Sequence, residues 1–128
     1  MILDSSALVA VILREFNHAE LLAKIKAAPG IALGAPTLLE TLIVLTARLR
    51  REPTLALKEL LRASEAEVIP FTEEHGRSAL NAYLRFGKGR HPAALNFGDC
   101  LCYATASLAS QPLLFVGTDF SKTDIQQA

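Results

Sequence analysis

The chain is 128 residues long with 51% hydrophobic residues, and its 13 basic and 13 acidic side chains cancel to a net charge of zero. A chain of this length fits one domain, expected here to span residues 1–128, and it buries enough surface to fold without a disulfide or a structural metal. The charge balance excludes a protein that attracts nucleic acid through an overall positive field, so any contact with nucleic acid must be local.

The longest unbroken apolar run, residues 7–13, is far shorter than the roughly 20 residues that span a bilayer. A strand is predicted at residues 1–3, which leaves no space there for a basic and then apolar leader. We therefore expect a cytoplasmic protein without a membrane segment. Cys100 and Cys102 lie two positions apart in a predicted helix and point to different faces, so both are predicted to be small core residues.

Apolar runs alternate with helical patterns along the whole chain, and turn or capping residues separate them. In the first half, the predicted elements in chain order are a strand at 1–3, a helix from 5 to about 13, a helix after Asn17, a strand at 31–33, a helix from about 36 to 49 and a helix from Pro53 to about 63. Basic side chains complement the dipole at the end of the helix that reaches residue 49: Arg48, Arg50 and Arg51.

In the second half, the predicted elements are a strand at 68–71 interrupted by Pro70, a helix after the cap Thr72, a basic loop at 87–95, a helix from Asn96 to about 110 and a strand at 113–116. The helix after Thr72 is expected to carry three side chains into the core: Ala79, Tyr83 and Phe86. Strands that alternate with helices predict an α/β fold in three layers, α/β/α, with a central, mostly parallel sheet of four to five short strands.

Three acidic residues fall where the carboxyl ends of parallel strands meet, the edge at which such sheets bind ligands. Asp4 ends the first strand, Glu40 lies in the opening turns of the helix after the second strand, and Asp119 follows the last strand. A fourth acid, Asp99, begins a helix. Crowded carboxylates take up protons unless a cation holds them ionised, and oxygen ligands favour Mg²⁺ or Mn²⁺. The pattern predicts a metal site for hydrolysis, with all four acids as metal ligands and catalytic groups.

Each acid also has a simpler explanation as part of a helix cap. Asp4 fits the N-cap of the first helix, Thr37 and Glu40 fit a capping box, and Asn96 with Asp99 fits another. Caps are common, so each acid taken alone is better explained in this way. Four caps that all fall at one rim of a sheet are much harder to explain as coincidence.

Four segments resemble those of a known family: the opening MILDSSALVAVIL, the glutamate in PTLLETLIVL, the stretch YLRFGKGRHPAALNFGDCLCYATA and the close LLFVGTDFSKTDI. Together they resemble a PIN domain of the VapC type, in the family's order and over nearly the whole chain. The resemblance implies a PIN-like fold and a ribonuclease that is the toxin of a type II toxin–antitoxin pair and cuts tRNA or ribosomal RNA with Mg²⁺ or Mn²⁺. It also implies a homodimer and a VapB-type antitoxin whose tail enters the acidic groove.

The family's four acids carry over to four positions of this sequence: Asp4, Glu40, Asp99 and Asp119. Similar proteins place small polar residues beside the first and the last acid, where they support the ligands. The resemblance therefore implies such a role here for Ser5 or Ser6 and for Thr118, and Asn96 is a further candidate.

Many members of the family carry an acid two residues before the position of Asp119, where this chain has Gly117. Asp119 is therefore a metal ligand, a group that supports the metal ligands, or a residue whose role is taken in part by Asp124. The same departure leaves room for a second hypothesis, a catalytically weak PIN domain that binds RNA or a partner without cutting. A metal-dependent phosphatase or DNA nuclease would use the same carboxylate chemistry, because a fold does not choose the substrate.

The densest basic stretch of the chain lies at 85–91 and precedes Asp99 by only a loop. Its basic side chains are expected to contact RNA phosphates near the metal: Arg85, Lys88, Arg90 and His91. A solvated surface loop without a function is the competing explanation.

Overall fold

The computed structural model describes residues 1–50 and 53–128, and the predicted helix-end residue Arg51 lies outside the described residues. Within the described residues, the strands are β1 (Ile2–Leu3), β2 (Ala32–Gly34), β3 (Glu67–Ile69) and β4 (Leu113–Leu114). The helices are α1 (Ser5–Ile12), α2 (His18–Ala27), α3 (Ala35–Leu49), α4 (Thr54–Ala63), α5 (Glu73–Phe86) and α6 (Phe97–Ala109), with a 3₁₀ turn at Phe120–Lys122. In this part of the chain, no helix combines the length and the apolar character needed to cross a membrane.

The four strands form one parallel sheet in the order β3-β2-β1-β4 across the described ranges. Because all four run in the same direction, their carboxyl ends lie at one edge, and the segment after each strand begins at that edge. The C-terminal segment adds one isolated parallel bridge, between Leu113 and Gln127. The predicted α/β class and the mostly parallel sheet of four to five short strands are confirmed.

The sheet separates two apolar cores, because successive side chains of a strand point to opposite faces. Ile2 and Leu113 belong to the core that α5 and α6 cover, whereas Leu3 and Leu114 belong to the core that α1, α2 and α4 cover. Helix α3 packs against both α1 and α6. The result is the predicted three-layer α/β/α arrangement.

The sequence predictions are wrong for the end of the last strand and for the placement of Tyr83. The strand predicted at 113–116 ends at Leu114, because the backbone N–H of Val116 bonds to the Ser6 hydroxyl instead of to a neighbouring strand. Tyr83, predicted to point into the core, is 40% exposed, and the Arg90 guanidinium lies over its ring at 5.2 Å from the centroid. At the end of α3, Arg48 forms an ion pair at 2.8 Å with a glutamate that follows α1, Glu15.

Candidate active site

Asp4 lies at the carboxyl end of β1 and is also the N-cap of α1, as predicted. Its Oδ2 accepts hydrogen bonds from the backbone N–H of Ser6 at 3.0 Å and from the Ser6 hydroxyl. The cap residue is only 5% exposed, so this cap holds a buried carboxylate at the edge of the sheet. Ser5, the other serine proposed for this role, makes no side-chain hydrogen bond to the described residues.

The thiol of Cys102 is buried near Asp4. Burial raises the pKa of this thiol well above its usual value, and the charge of Asp4 raises it further. Cys100 and Cys102 are both buried, as the sequence predicts. Cys102 is therefore a neutral core residue close to a site carboxylate.

Asp99 lies in the first turn of α6 and forms the predicted capping box with Asn96. The side-chain oxygen of Asn96 accepts the Asp99 N–H at 2.9 Å, and Asp99 Oδ2 accepts the Asn96 N–H at 2.8 Å. These two bonds fix the direction of the Asp99 side chain. Asn96 therefore contacts the acid that it was predicted to support.

Glu40 is not part of the capping box that the sequence suggests. Helix α3 begins at Ala35, with Gly34 as the cap residue, so Thr37 lies inside the helix and the Thr37–Glu40 alternative is wrong. The Glu40 carboxylate instead lies against Gly98 at the start of α6. Glu40 is thus next to Asp99, although the two are far apart in the sequence.

Asp119 is exposed and precedes the 3₁₀ turn that follows β4. The next residue, Phe120, is buried with its ring 5.2 Å from that of Phe115, which anchors the segment to the core. Thr118, the small polar residue proposed beside Asp119, is exposed, and its carbonyl accepts a hydrogen bond from Ser121 at 2.7 Å. The Thr118 backbone therefore helps to shape the turn that carries Asp119.

Asp124 belongs to a different cluster of side chains. Its carboxylate pairs with the Arg85 guanidinium at 2.6 Å and accepts the hydroxyl of Tyr103 at 2.5 Å. The Tyr103 hydroxyl and the Arg85 guanidinium lower the pKa of Asp124, and burial followed by the bond to Asp124 raises the pKa of Tyr103 to about 12. The cluster ties the C-terminal segment to α5 and α6.

The charges of three predicted site acids act on the fourth, Asp99. The pKa of Asp99 is raised from 3.8 to about 6, first by burial and then by those charges, against the lowering effect of the Asn96 N–H. The three acids are Asp4, Asp119 and Glu40. They therefore lie near enough to Asp99, at the carboxyl edge of the sheet, for their charges to act on it, and Asp124 is not among them.

The donor atoms of this site fit a hard cation in their chemistry, because they are all carboxylate oxygens. Within residues 1–50 and 53–128, however, no three histidine, cysteine, aspartate or glutamate side chains form an arrangement that holds a metal as it stands. Like charges favour side-chain rotamers that keep the oxygens apart.

The predicted basic stretch is divided by the structure between α5 and the loop that follows it. Arg85 lies in α5 and is held by Asp124, so it is not part of the loop. His91 accepts the Ala93 N–H at 3.1 Å and packs edge-on against Phe86. The two remaining cations, Lys88 and Arg90, are exposed.

Lys88 lines the same cavity as the first residues of α6, Asn96 and Phe97, a mostly apolar space of about 760 Å³. One of the exposed cations is therefore close to the helix end that carries Asp99. The other, Arg90, extends over the face of Tyr83, which lines this cavity as well.

Gly98 and Cys102 were not among the site residues predicted from the sequence. A glycine in the first turn of a helix, directly before Asp99, is a signal that a neighbour approaches closely at that point. Cys102 lies three residues after Asp99, hence on the same face of α6. Neither signal names the neighbour, which comes from another part of the chain in each case.

Comparisons with known proteins agree with this architecture. The family model of the PIN domain matches residues 1–126. Ribonuclease VapC36 of Mycobacterium tuberculosis is 49% identical over 127 residues, covering 98% of this chain and 91% of the relative. Ribonuclease VapC28 of the same organism is 43% identical over 131 residues, covering 100% of this chain and 97% of the relative.

Two solved structures share the fold at low sequence identity. The crystal structure of Mycobacterium tuberculosis VapC20, described as a sarcin-ricin loop cleaving toxin, superposes with a TM-score of 0.81 at 15% identity and covers 99% of this chain and 97% of its own. A toxin–antitoxin complex from Klebsiella pneumoniae gives a TM-score of 0.71 at 16% identity and covers 96% and 92%. With the family model and the two relatives at 49% and 43% identity, the chain belongs to the PIN domain family, and within that family it groups with the VapC ribonucleases.

Proposed function

We propose that this protein is a metal-dependent endoribonuclease of the VapC type and the toxin of a type II toxin–antitoxin pair. The observation that carries the proposal is the placement of the acids at the carboxyl edge of the sheet: Asp4 follows β1, Glu40 lies against the start of α6, and Asp99 lies in the first turn of α6. The charges of Asp4, Asp119 and Glu40 also raise the pKa of Asp99, in addition to burial. Helix capping accounts for the hydrogen bonds of Asp4 and Asp99, but it does not account for four acids near one another. The 49% identity to a VapC ribonuclease supports the same conclusion.

The proposed cofactor is Mg²⁺ or Mn²⁺, held by the carboxylates of Asp4, Glu40, Asp99 and Asp119. When bound there, such a cation would lower the pKa of a coordinated water and offset the negative charge of the phosphoryl oxygens. Hydrolysis of the RNA backbone would join the water oxygen to phosphorus, break one P–O bond and place a proton on the departing oxygen.

The residues of the chain divide the remaining tasks between them. Ser6 and Asn96 hold the carboxylates of Asp4 and Asp99 in fixed directions. Glu40 makes no helix-cap hydrogen bond, so its carboxylate oxygens are available to the cation.

RNA is the proposed substrate, of the tRNA or ribosomal RNA class, in the cytoplasm. Lys88 and Arg90 are the proposed phosphate contacts, because they are exposed and Lys88 lies near the start of α6. Arg85 and His91 have partners within the protein and are weaker candidates for this role. A VapB-type antitoxin is the proposed inhibitor, and the fold shared with a toxin of a toxin–antitoxin complex is consistent with such a partner.

A homodimer is the proposed assembly, through an apolar surface beside the acidic site. Its exposed residues come from α3, α5 and α6: Leu39, Ile43, Leu80 and Phe97. Phe97, at 80% exposure, and its neighbour Leu101 line the cavities on both sides of α6, so the surface is continuous. Exposed apolar surface of this kind is typical of an interface.

The dimer is tested by substituting one residue of this surface. Leu80→Glu should produce a monomer in sedimentation velocity, because a charge cannot be buried there without a partner. Leu55→Glu, at an exposed leucine of α4 outside this surface, is the matched control and should leave the mass unchanged. A wild-type protein that sediments as a monomer at high concentration contradicts the proposed dimer.

The proposed activity is tested by incubating total RNA with the purified protein and Mn²⁺. Asp4→Asn and Asp99→Asn should lose cleavage, whereas Glu59→Gln, an exposed acid of α4, should cleave like the wild type. Equal cleavage by all variants points to a contaminating nuclease and contradicts the assignment. Calorimetric titration with Mn²⁺ tests the second candidate, the non-cutting PIN domain suggested by Gly117, since an inactive site that binds no metal would give no heat and no stabilisation.

A further inference from the structure

Gly98 is the second residue of α6, directly before Asp99. A Cβ atom at this position would lie 3.1 Å from Cδ of Glu40 and closer still to its Oε1. The three atoms nearest to that position all belong to the Glu40 carboxylate. The acid from α3 therefore occupies the space that any side chain at position 98 would need.

The backbone itself gives no reason for a glycine at this position. The glycines with positive φ in the described residues are Gly89 and Gly117, and Gly98 has ordinary helical geometry. A glycine inside a helix costs about 1 kcal/mol relative to alanine. Of the two glycines inside described helices, Gly76 has no atom within 4 Å of the Cβ position, whereas Gly98 lies against a carboxylate of the proposed site.

We infer that Gly98 is a positioning residue. Because it has no side chain, it leaves a space at the start of α6, here called the seat, in which the Glu40 carboxylate lies beside Asp99. The inference rests on the proposed metal-dependent function, which it deepens. The seat lies at the N-terminal end of α6, where the helix dipole favours negative charge. Without the seat, repulsion from the other acids turns the Glu40 side chain toward solvent, because Glu40 is partly exposed on α3.

The test compares Gly98→Ala with Gly76→Ala, which adds a methyl group to a helical glycine of α5 that has no atom within 4 Å of the new Cβ. Both variants should melt at or slightly above the wild-type temperature, since alanine favours a helix. Only Gly98→Ala should weaken Mn²⁺ binding in calorimetry, by roughly tenfold or more, as other groups that orient metal ligands do. It should lower kcat while KM for RNA stays constant.

Two further measurements separate a positioning role from a structural one. A crystal structure of metal-free Gly98→Ala should show the Glu40 carboxylate displaced from α6, and a carboxylate that stays in place overturns the inference. In a Glu40→Gln background, Gly98→Ala should cause no further loss of kcat, because it acts through Glu40. Additive losses contradict the inference.

Mn²⁺ binding by the wild-type protein tests the proposed function independently of the inference about Gly98. A wild-type protein that takes up no Mn²⁺ contradicts the proposed function and the inference with it. Equal Mn²⁺ affinity of the wild type and Gly98→Ala contradicts the inference alone.

Discussion

The backbone N–H of Val116 donates a 2.9 Å hydrogen bond to the hydroxyl of Ser6, a residue 110 positions earlier in the chain. The same hydroxyl donates to the Asp4 carboxylate. One side chain therefore connects the acid at the end of β1 to the segment after β4 that leads to Asp119. The relative position of these two acids depends on this hydroxyl.

Ser6→Ala should destabilise the protein and weaken its metal site together. The substitution leaves the Val116 N–H without its acceptor and leaves Asp4 with the backbone N–H of residue 6 but without the hydroxyl donor, a loss of about 1–2 kcal/mol in the free energy of unfolding. Urea denaturation measures this loss, and calorimetry measures Mn²⁺ affinity. Ser5→Ala, one position earlier, should change the free energy of unfolding by less than about 0.5 kcal/mol, and an equal effect of both variants would show that the bridge is unimportant.

The stability of the metal-free protein should fall as the pH rises from about 4 to about 6. The pKa of Asp99 is raised from 3.8 to about 6 in the folded protein, so the native state binds more protons than the unfolded state in this range. The stabilising contribution of protonated Asp99 is complete below this window and is lost above it. Because Asp99 is only partly buried, we expect a contribution of about 1 kcal/mol rather than the full equivalent of the pKa shift.

Asp99→Asn isolates the contribution of Asp99 ionisation to stability. The amide does not titrate, and its side-chain oxygen can still accept the Asn96 N–H. At pH 7 the metal-free variant should melt a few degrees above the wild type, roughly 4 °C per kcal/mol, and the difference should disappear near pH 4. Melting curves of both proteins with a chelator present measure the effect. A variant less stable than the wild type at pH 7 contradicts the raised pKa.

Asp119→Asn and Asp124→Asn should have different effects, although the two acids are only five residues apart. Asp119→Asn should weaken Mn²⁺ binding by roughly tenfold or more, because Asp119 is a proposed ligand. Asp124→Asn should lower the melting temperature and leave Mn²⁺ affinity unchanged, since its carboxylate pairs with Arg85 and Tyr103. Calorimetry and melting curves of the two variants decide between them, and a loss of metal binding by Asp124→Asn would assign that residue to the site.

Removing Lys88 and Arg90 together should weaken RNA binding without altering the chemical step. With both replaced by alanine, the slope of log affinity against log salt should become shallower by about 0.7 for each RNA phosphate that the protein no longer neutralises. A double variant with the same change in charge, Lys26→Ala with Lys58→Ala, is the control on α2 and α4. Filter binding at several salt concentrations measures the slope, and an identical slope for both double variants removes the proposed RNA contact.

Local patterns in the sequence were sufficient for the elements and for several caps. Asp4 ends an apolar run before a helical pattern, and it is the N-cap of α1. Asn96 and Asp99 have capping-box spacing, and both bonds of the box are present. These predictions succeed because strand, helix and cap preferences depend on residues within about four positions of one another.

The wrong predictions concern features that depend on packing between segments far apart in the chain. Tyr83 has the spacing of a core residue on its helix, but its exposure depends on what lies beside α5. Thr37 and Glu40 have the spacing of a capping box, but α3 begins earlier, at Ala35, directly after β2. In both cases a local pattern is compatible with more than one placement, and packing against distant segments selects one.

The sequence by itself determined the α/β class, the order of the elements and the four acids of the proposed site, because hydrophobic periodicity and residue chemistry are local properties. Only the tertiary structure decided that the Glu40 carboxylate lies against Gly98 and that Ser6 connects Asp4 to the segment after β4. It also decided that Asp124 forms an ion pair with Arg85 and does not lie beside Asp99. These contacts join segments far apart in the chain. They depend on how the parallel strands and their crossover helices pack, and local sequence patterns do not determine that packing.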